Sequence, residues 1–358
     1  MGDIEIEVDD NRDSEDEVFV GDEVFTPGEA QPKDEVDERQ ITEDEDIENQ
    51  EQQDPIPYTI HGNEDHYDRD EKGNLHLLLH TEESLPKRVK KFYKRRYQLY
   101  SLYDKGIHLT TELWFSVTPE RVAEITARII KHFIPDAVDV VDLCCGGGGN
   151  TIRFAKHFDH VGAIDINQIN INCTLHNAEI YEVRSKIWSV VGDWTELCNS
   201  SDWVPERIRH KKIPFDFIFV SPPWGGNQYD RDVFDLETLK PLGLKKLCYS
   251  LKKYSKNFGL FLPKSSNRDQ IDRITRKLYG KKGKCRIIEL YNDGHYVGIL
   301  LLYGKKVTQP IDYHDLNDDD YQIETLSDYE AEMAEAEKAK NPQSEDIENS
   351  NDNSEMSE

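Results

Sequence analysis

VVDLCCGGGGNT, residues 140–151, decides how this chain folds. Two valines, a carboxylate and a leucine run through two cysteines into four consecutive glycines, then Asn150 and Thr151. Branched aliphatic residues suit a strand. Glycines let the backbone turn tightly and approach a ligand closely. A strand that ends in such a turn opens a doubly wound α/β sheet, where ligands bind beyond the carboxyl ends of the strands. The Gly-rich turn alone fits nicotinamide, flavin and nucleotide sites equally. The spacing Asp142-x-x-x-Gly146-x-Gly148 is narrower, because an acid ahead of the first glycine is not part of the dinucleotide pattern G-x-G-x-x-G.

Working outward, apolar runs of strand length recur at residues 138–143, 161–166, 188–191 and 215–220. Helix-like segments at 151–157 and 169–181 separate the first three, and a longer link, 194–213, precedes the fourth. Further strands are expected at 257–262, 286–291 and 297–303. Strand–helix alternation of this kind predicts a mostly parallel sheet with helices on both faces. Ahead of it, Thr118-Pro119-Glu120 is expected to open a helix. Thr118 would be its N-cap, Pro119 its first position, and Glu120 would face the positive end of the dipole. Val122, Ile125, Ile129 and Phe133 follow at helical spacing. Residues 85–102 read as one very basic helix. A stripe of Phe92, Tyr93, Tyr97 and Tyr100 would pack on the domain while the other face stays basic. That face is either solvated, a nuclear localisation signal, or a lid that grips phosphates.

The 358 residues carry a formal charge of −27, but unevenly. Residues 1–75 hold 28 acidic and 5 basic side chains, and residues 309–358 hold 17 and 2. Residues 76–308 hold 26 acidic and 37 basic, net +11. Four parts follow: an acidic tail (1–75), a basic helical accessory segment (76–135), a catalytic domain (136–308) and a second acidic tail (309–358). Both tails lack the large apolar residues that offset the entropy of ordering, so both are expected to be disordered. They act either as a solubilising, self-repelling chain, or as a shield against nonspecific RNA and a contact for basic partners. No apolar run approaches the roughly 18 residues of a membrane helix. The acidic start, MGDIEIEVDD, is unlike a signal or transit peptide. Six cysteines without a C-x-x-C pair argue against a disulfide scaffold and against a structural zinc site. Adjacent Cys144 and Cys145 are expected to be small buried apolar groups. A reducing compartment, cytosol or nucleus, is expected, with no membrane and no metal.

Three carboxylates fall at successive strand ends. Asp142 closes the first, Asp165 the second, 23 residues on, and Asp193 the third. An acid after a strand is otherwise a cap or turn residue. An acid at the second strand end can accept hydrogen bonds from both ribose hydroxyls of a nucleoside. The fourth strand ends in Ser221-Pro222-Pro223-Trp224. An aryl amine is a poor nucleophile because its lone pair is delocalised into the ring. The Ser221 hydroxyl and the Pro222 carbonyl can hold such an amine as acceptors, orient the lone pair and favour positive charge developing on nitrogen. The prolines stiffen the loop, and Trp224 offers a flat face for a base. The bland alternative is a Pro-Pro turn carrying a core tryptophan.

The Asp142–Gly148 spacing resembles the first motif of class I S-adenosylmethionine-dependent methyltransferases. SPPW resembles the [Asp/Asn/Ser]-Pro-Pro-[Tyr/Phe/Trp] signature of those that modify planar amino nitrogens. With WFSVTPE (114–120), CGGGGNTI (145–152), HNAEIY (176–181) and SPPWGGNQY (221–229), residues 85–303 resemble the trimethylguanosine synthase family. The resemblance implies a class I, Rossmann-like fold, S-adenosylmethionine as cofactor, and methyl transfer to the 2-amino group of a 7-methylguanosine cap. Its substrates would be small nuclear and nucleolar RNAs. Its location would be the nucleus or nucleolus, and also the cytoplasm, with basic tails of ribonucleoprotein core proteins as partners for the acidic arms. Cofactor contacts carried over are Tyr100, Thr118, Asp142, Gly146, Gly148, Asn150, Asp165, Ile166 and Asp193. Substrate contacts are Trp224, Lys91, Asn177, Tyr229 and Lys264, where relatives can carry Arg. A 7-methylguanine ring is cationic, and stacking on an indole adds ~0.5–2 kcal/mol. The chain departs from relatives in its extra loop glycine, which is expected to loosen the turn. An adenine or glutamine amino methyltransferase with the same loop, and a noncatalytic RNA-binding protein on this fold, remain the alternatives.

Overall fold

The computed structural model describes residues 21–25, 66–225 and 232–309. Strands β1 (Gly21–Phe25), β2 (Tyr67–Arg69) and β3 (Leu75–Leu77) precede the main series. That series is β4 (Asp139–Leu143), β5 (His160–Asp165), β6 (Ile187–Val191), β7 (Phe217–Val220), β8 (Phe258–Leu262), β9 (Cys285–Asn292) and β10 (His295–Tyr303). The sheet order is β1-β9-β10-β8-β7-β4-β5-β6. The pairs β4–β5, β4–β7, β5–β6 and β7–β8 are parallel, while β10 runs antiparallel to β8. Apart from β1, this is the order of the expected class I fold. The chain reverses direction across the sheet between β4 and β7, so the crevice beyond their carboxyl ends is where a ligand is expected.

Helices α1 (Lys87–Tyr93), α2 (Arg96–Leu99), α3 (Leu113–Ser116) and α4 (Glu120–Phe133) lead into the sheet. The crossovers carry α5 (Gly149–His157), α6 (Gln168–Ile180), α7 (Trp194–Leu197), α8 (Glu206–Arg209), α9 (Leu244–Leu251) and α10 (Arg268–Tyr279). All five residues of β4 are buried, as are those of β7 and β8, which is what strands covered on both faces require. Any side chain at Gly162 in β5 would force the neighbouring indole to move. A Cβ there would lie 2.3 Å from the Trp188 indole on β6. Trp188 stacks on Phe215, which stacks on Trp203 (ring centroids 6.0 and 5.4 Å). This aromatic pad folds the long link between β6 and β7 onto the sheet.

Three expectations are corrected. The basic stretch is two helices and not one. The break at Lys94–Arg95 places the Arg96 guanidinium over both Tyr93 and Tyr97 (4.7 and 4.3 Å) and turns Leu99 and Tyr100 into the core. On α4 the fully buried stripe is Val122, Ala123, Thr126, Ala127 and Ile130, with Ile125, Ile129 and Phe133 flanking it, because alanines let the helix approach closely. The stretch 1–75 is not wholly without structure. Gly21–Phe25 pairs antiparallel with β9, and Tyr67–Arg69 pairs with Leu75–Leu77. The remainder of that stretch, and residues 310–358, lie outside the described residues. Tyr291–Tyr296 belongs to a second unit, in which the Tyr291 and Tyr296 rings stack 5.2 Å apart. Among the described residues no helix is long and apolar enough to cross a membrane.

Candidate active site

The turn after β4 sets the site. Cys144, Gly146 and Gly148 adopt positive φ (64°, 55° and 90°), a conformation that favours glycine. Hydrogen bonds from three other elements hold the turn in place. The Gly146 N–H donates to Asp165 Oδ2 (3.0 Å), and Thr174 Oγ1 donates to the Gly146 carbonyl (2.8 Å). The Gly147 carbonyl accepts from the Tyr100 hydroxyl (2.7 Å) and from Asn177 Nδ2 (2.9 Å). A Cβ on Gly147 would sit 2.9 Å from Leu109 and 3.0 Å from the Tyr100 hydroxyl. The glycine at 147 lets the accessory segment press against the turn.

Two expected ligand contacts take other work here. Tyr100 is 2% exposed and spends its hydroxyl on the loop. Asn177, expected to touch substrate, is fully buried on α6. Its Oδ1 accepts from the His108 N–H (2.8 Å), and its amide donates to the His108 and Gly147 carbonyls (both 2.9 Å). Both side chains hold the turn through its Gly147 carbonyl.

Asp142 is 0% exposed on β4. Its Oδ2 accepts from the Thr151 hydroxyl (2.5 Å), while Oδ1 is buried without a partner. Burial pushes its pKa up to about 7; the Thr151 hydrogen bond opposes this, and the negative charge of Asp165 adds to it. Beside it, Asn150 donates to the Thr118 hydroxyl (3.0 Å) and likewise leaves its own Oδ1 buried and unpaired. Thr118 is thus not the N-cap of α4, a position taken by Pro119; its hydroxyl orients Asn150 instead. An unpaired buried carbonyl and an unpaired buried carboxylate oxygen are costly unless a donor completes them. The ammonium of an amino-acid moiety is such a donor, and so the turn fits S-adenosylmethionine.

At the end of β5, Asp165 Oδ1 accepts from the Asn167 N–H (2.9 Å) and from Asn170 Nδ2 (3.1 Å), which fixes the carboxylate in place. Burial raises its pKa. The next residue, Ile166, is 66% exposed, an apolar side chain held at the rim of the crevice. Asp193 caps α7 through the Thr195 N–H (2.7 Å), so the plain turn-residue role is filled, and its other carboxylate oxygen is left over. After β7 the Ser221 N–H donates to the Leu143 carbonyl (3.3 Å), which docks the SPPW loop on the strand that carries Asp142. Trp224 is half-buried. Its indole N–H donates to the Phe261 carbonyl on β8 (3.3 Å), and its ring meets the Phe261 ring edge-on at 5.2 Å. Lys264, exposed, follows β8 on the neighbouring loop. Tyr229 lies outside the described residues. Lys91 is exposed on α1, with its ammonium 5.3 Å from the Phe92 ring.

Sequence reasoning missed Glu120. It does more than face a helix dipole. Its carboxylate accepts from the Ser101 N–H and hydroxyl (2.7 and 2.8 Å) and from the Tyr181 hydroxyl (2.6 Å), and pairs with Arg153 (2.6 Å). It rivets the residue next to Tyr100 to α4, α5 and the end of α6. Thr151, Thr174 and Phe261 were also missed. Their sole sequence signal was proximity to motifs already singled out. Among the described residues no group of three His, Cys, Asp or Glu is placed to hold a metal ion.

A family model described as RNA cap guanine-N2 methyltransferase matches residues 137–306. The chain is 42% identical over 218 residues to the trimethylguanosine synthase of Saccharomyces cerevisiae, covering 60% of this chain and 67% of that protein. It is 35% identical over 185 residues to the trimethylguanosine synthase of Schizosaccharomyces pombe, covering 51% and 74%. Among solved structures, the METTL16 methyltransferase domain aligns with a TM-score of 0.43 at 14% identity, over 67% of this chain and 87% of that one.

Proposed function

The chain belongs to the trimethylguanosine synthase family of RNA cap guanine-N2 methyltransferases, and from that premise we propose which residues carry the reaction. Its activity is methylation of the guanosine cap at the 2-amino group to give the trimethylguanosine cap. Bound at the β4 turn, S-adenosylmethionine supplies the methyl group on a positively charged sulfur. Asp142 and Asn150 receive its ammonium on their two unpaired oxygens, and Asp165 receives its ribose hydroxyls. Ile166 covers one face of its adenine, and Asp193 reads the adenine edge. Gly146 and Gly148 shape the turn that admits it. Thr118 and Tyr100 act one step back, through Asn150 and Gly147.

The observation that carries the substrate reading is the fixed indole of Trp224. A hydrogen bond to β8 and an edge contact with Phe261 hold it beside Ser221 and Pro222. A 7-methylguanine stacked there presents its 2-amino group to the Ser221 hydroxyl and the Pro222 carbonyl. Those acceptors take the amine's N–H bonds and aim its lone pair. The amine proton leaves after transfer, so no strong base is needed. Lys264, Lys91 and Tyr229 meet the cap phosphates. The physiological RNAs are small nuclear and nucleolar RNAs met in the nucleus or nucleolus, and also in the cytoplasm. The acidic arms engage basic tails of ribonucleoprotein core proteins.

Mass spectrometry of a 7-methylguanosine cap analogue after incubation with the protein and S-adenosylmethionine tests this reading. One and then two added methyl masses are expected, with none on an unmethylated guanosine cap run in parallel. Equal methylation of both analogues would remove the cation–π account of selectivity.

A further inference from the structure

Apart from Lys264, the positive charge of the body is concentrated away from the residues assigned so far. Residues 240–284 hold 14 basic and 2 acidic side chains, whereas all of 76–308 carries a net charge of only +11. The rest of the body is therefore close to neutral. Most of these cations sit on α9, α10 and their flanks. The two helices pack side by side: the Tyr249 hydroxyl on α9 donates to the Lys277 carbonyl on α10 (3.2 Å), and the Lys252 ammonium donates to the Leu278 carbonyl (2.9 Å). Lys245, Lys246 and Lys253 on one side of the join, and Arg273, Arg276 and Lys277 on the other, are exposed. Acids are sparse. Asp272 is occupied by Arg276 (3.0 Å), Asp269 is exposed at the start of α10, and Glu237 reaches the groove beside α9.

Two further features separate this face from an ordinary solvated one. Lys245, Lys246, Tyr249 and Lys253 line a single shallow groove. Tyr249 stands in it 45% exposed, with its hydroxyl fixed across the helix join. A held aromatic face among cations is the combination that accepts single-stranded nucleic acid, with bases on the ring and phosphates on the ammonium groups. The face is also correctly connected. α9 lies between β7 and β8 in the chain, α10 leaves the loop that contains Lys264, and both helices return from the carboxyl ends of these parallel strands. The 12 residues of α10 span about 18 Å. A strand anchored by its 5′ cap at Trp224 would pass Lys264 and then meet this track.

We propose that the α9–α10 face binds the phosphate backbone of the RNA just downstream of the cap, so that the chain reads its substrate at two places. This rests on the cap methyltransferase reading above. Short cap analogues would use only the crevice, and capped RNA would use both.

The test compares a 7-methylguanosine cap dinucleotide with a capped RNA of several tens of nucleotides, using the full chain and the variant K245Q/K246Q/R273Q/K277Q. All four side chains are exposed. The variant is expected to keep wild-type kcat/KM on the dinucleotide and to raise KM at least tenfold on the RNA. The salt slope of log KM on the RNA should fall by about 3, near 0.7 for each phosphate of a single strand that is no longer neutralised. The wild type alone gives a second reading, since its salt slope must be steeper on RNA than on the dinucleotide. Equal slopes would overturn the proposal. An unchanged RNA KM together with a larger hydrodynamic radius of the variant would also overturn it, and would assign the face to the chain's own acidic residues. Failure of the wild type to methylate the dinucleotide would instead count against the functional reading.

Discussion

Asp142 is the residue on which the pH behaviour of the site depends. Its pKa, pushed up to about 7 from an ordinary 3.8, means that the folded chain holds a proton which the unfolded chain has already released between those values. Stability of the protein without cofactor therefore falls as pH rises through that window, and Asp142→Asn should flatten this dependence in thermal melts. Binding of an ammonium donor reverses the preference, because it favours the ionised carboxylate. The cofactor dissociation constant should tighten by up to about tenfold for each pH unit gained below 7 and level off above it. In Asp142→Asn it should be weaker and independent of pH. A wild-type value that is constant between pH 6 and 8 would sink the assignment of Asp142 to the ammonium. Trp224 makes a different prediction, since its indole is bonded to Phe261 on β8. Trp224→Ala should lower kcat/KM on the cap analogue at least a hundredfold while leaving the cofactor dissociation constant within twofold. A similar loss in both would mean that the indole serves the core. The strand-end acids and SPPW were legible in the sequence because each follows an apolar run directly. The spare acceptor atoms on Asp142 and Asn150 were not, since only the packed neighbours show which oxygens are left over.

The elements themselves were largely legible, because strands and helices write their burial into their own periodicity. β4, β5, β7 and β10 begin within two residues of expectation. What joins the elements was not legible. Tyr100 meets Gly147 across 47 residues of chain, and Asn177 reaches it across 30. No local pattern encodes such a meeting. The same blindness hid the break between α1 and α2, which depends on where the Tyr93, Tyr97 and Arg96 side chains find one another. The accessory segment thus touches the cofactor turn from behind, and its effect on cofactor binding should pass through the Gly147 carbonyl. Tyr100→Phe removes one buried hydrogen bond and should cost about 1 kcal/mol. Asn177→Ala removes three and unties His108 as well, and should cost about 3 kcal/mol. Both should raise KM for S-adenosylmethionine more than KM for the cap analogue. If Asn177→Ala instead raised only the cap KM, Asn177 would have to reach the crevice, and its role as a brace of the turn would be wrong.

At the scale of the whole molecule, charge was the plainest signal in the sequence, and it divided the chain into an acidic start, a basic body and an acidic end. Charge says nothing about strand pairing, however, and composition alone concealed β1. GDEVF is five residues with two acids, indistinguishable by content from its surroundings, and it becomes a strand because β9 offers an edge. Its register is fixed along the whole strand, from Gly21 opposite Glu289 to Phe25 opposite Cys285. An unpaired edge presents a row of free N–H and carbonyl groups to other chains. Removing the acidic start therefore should not be neutral at every length. Deletion of residues 1–20 leaves β1 in place, and should leave both melting temperature and dinucleotide kcat/KM near wild type. Deletion of residues 1–25 uncovers β9, and should lower the melting temperature by several degrees and promote concentration-dependent association in light scattering, while kcat/KM measured on freshly prepared dilute protein stays within threefold. The crevice lies at the β4–β7 reversal, with β8 and β10 between it and that edge. If the longer deletion abolished activity without association or loss of stability, β1 would have to act on the site itself, and the acidic start would be part of the enzyme.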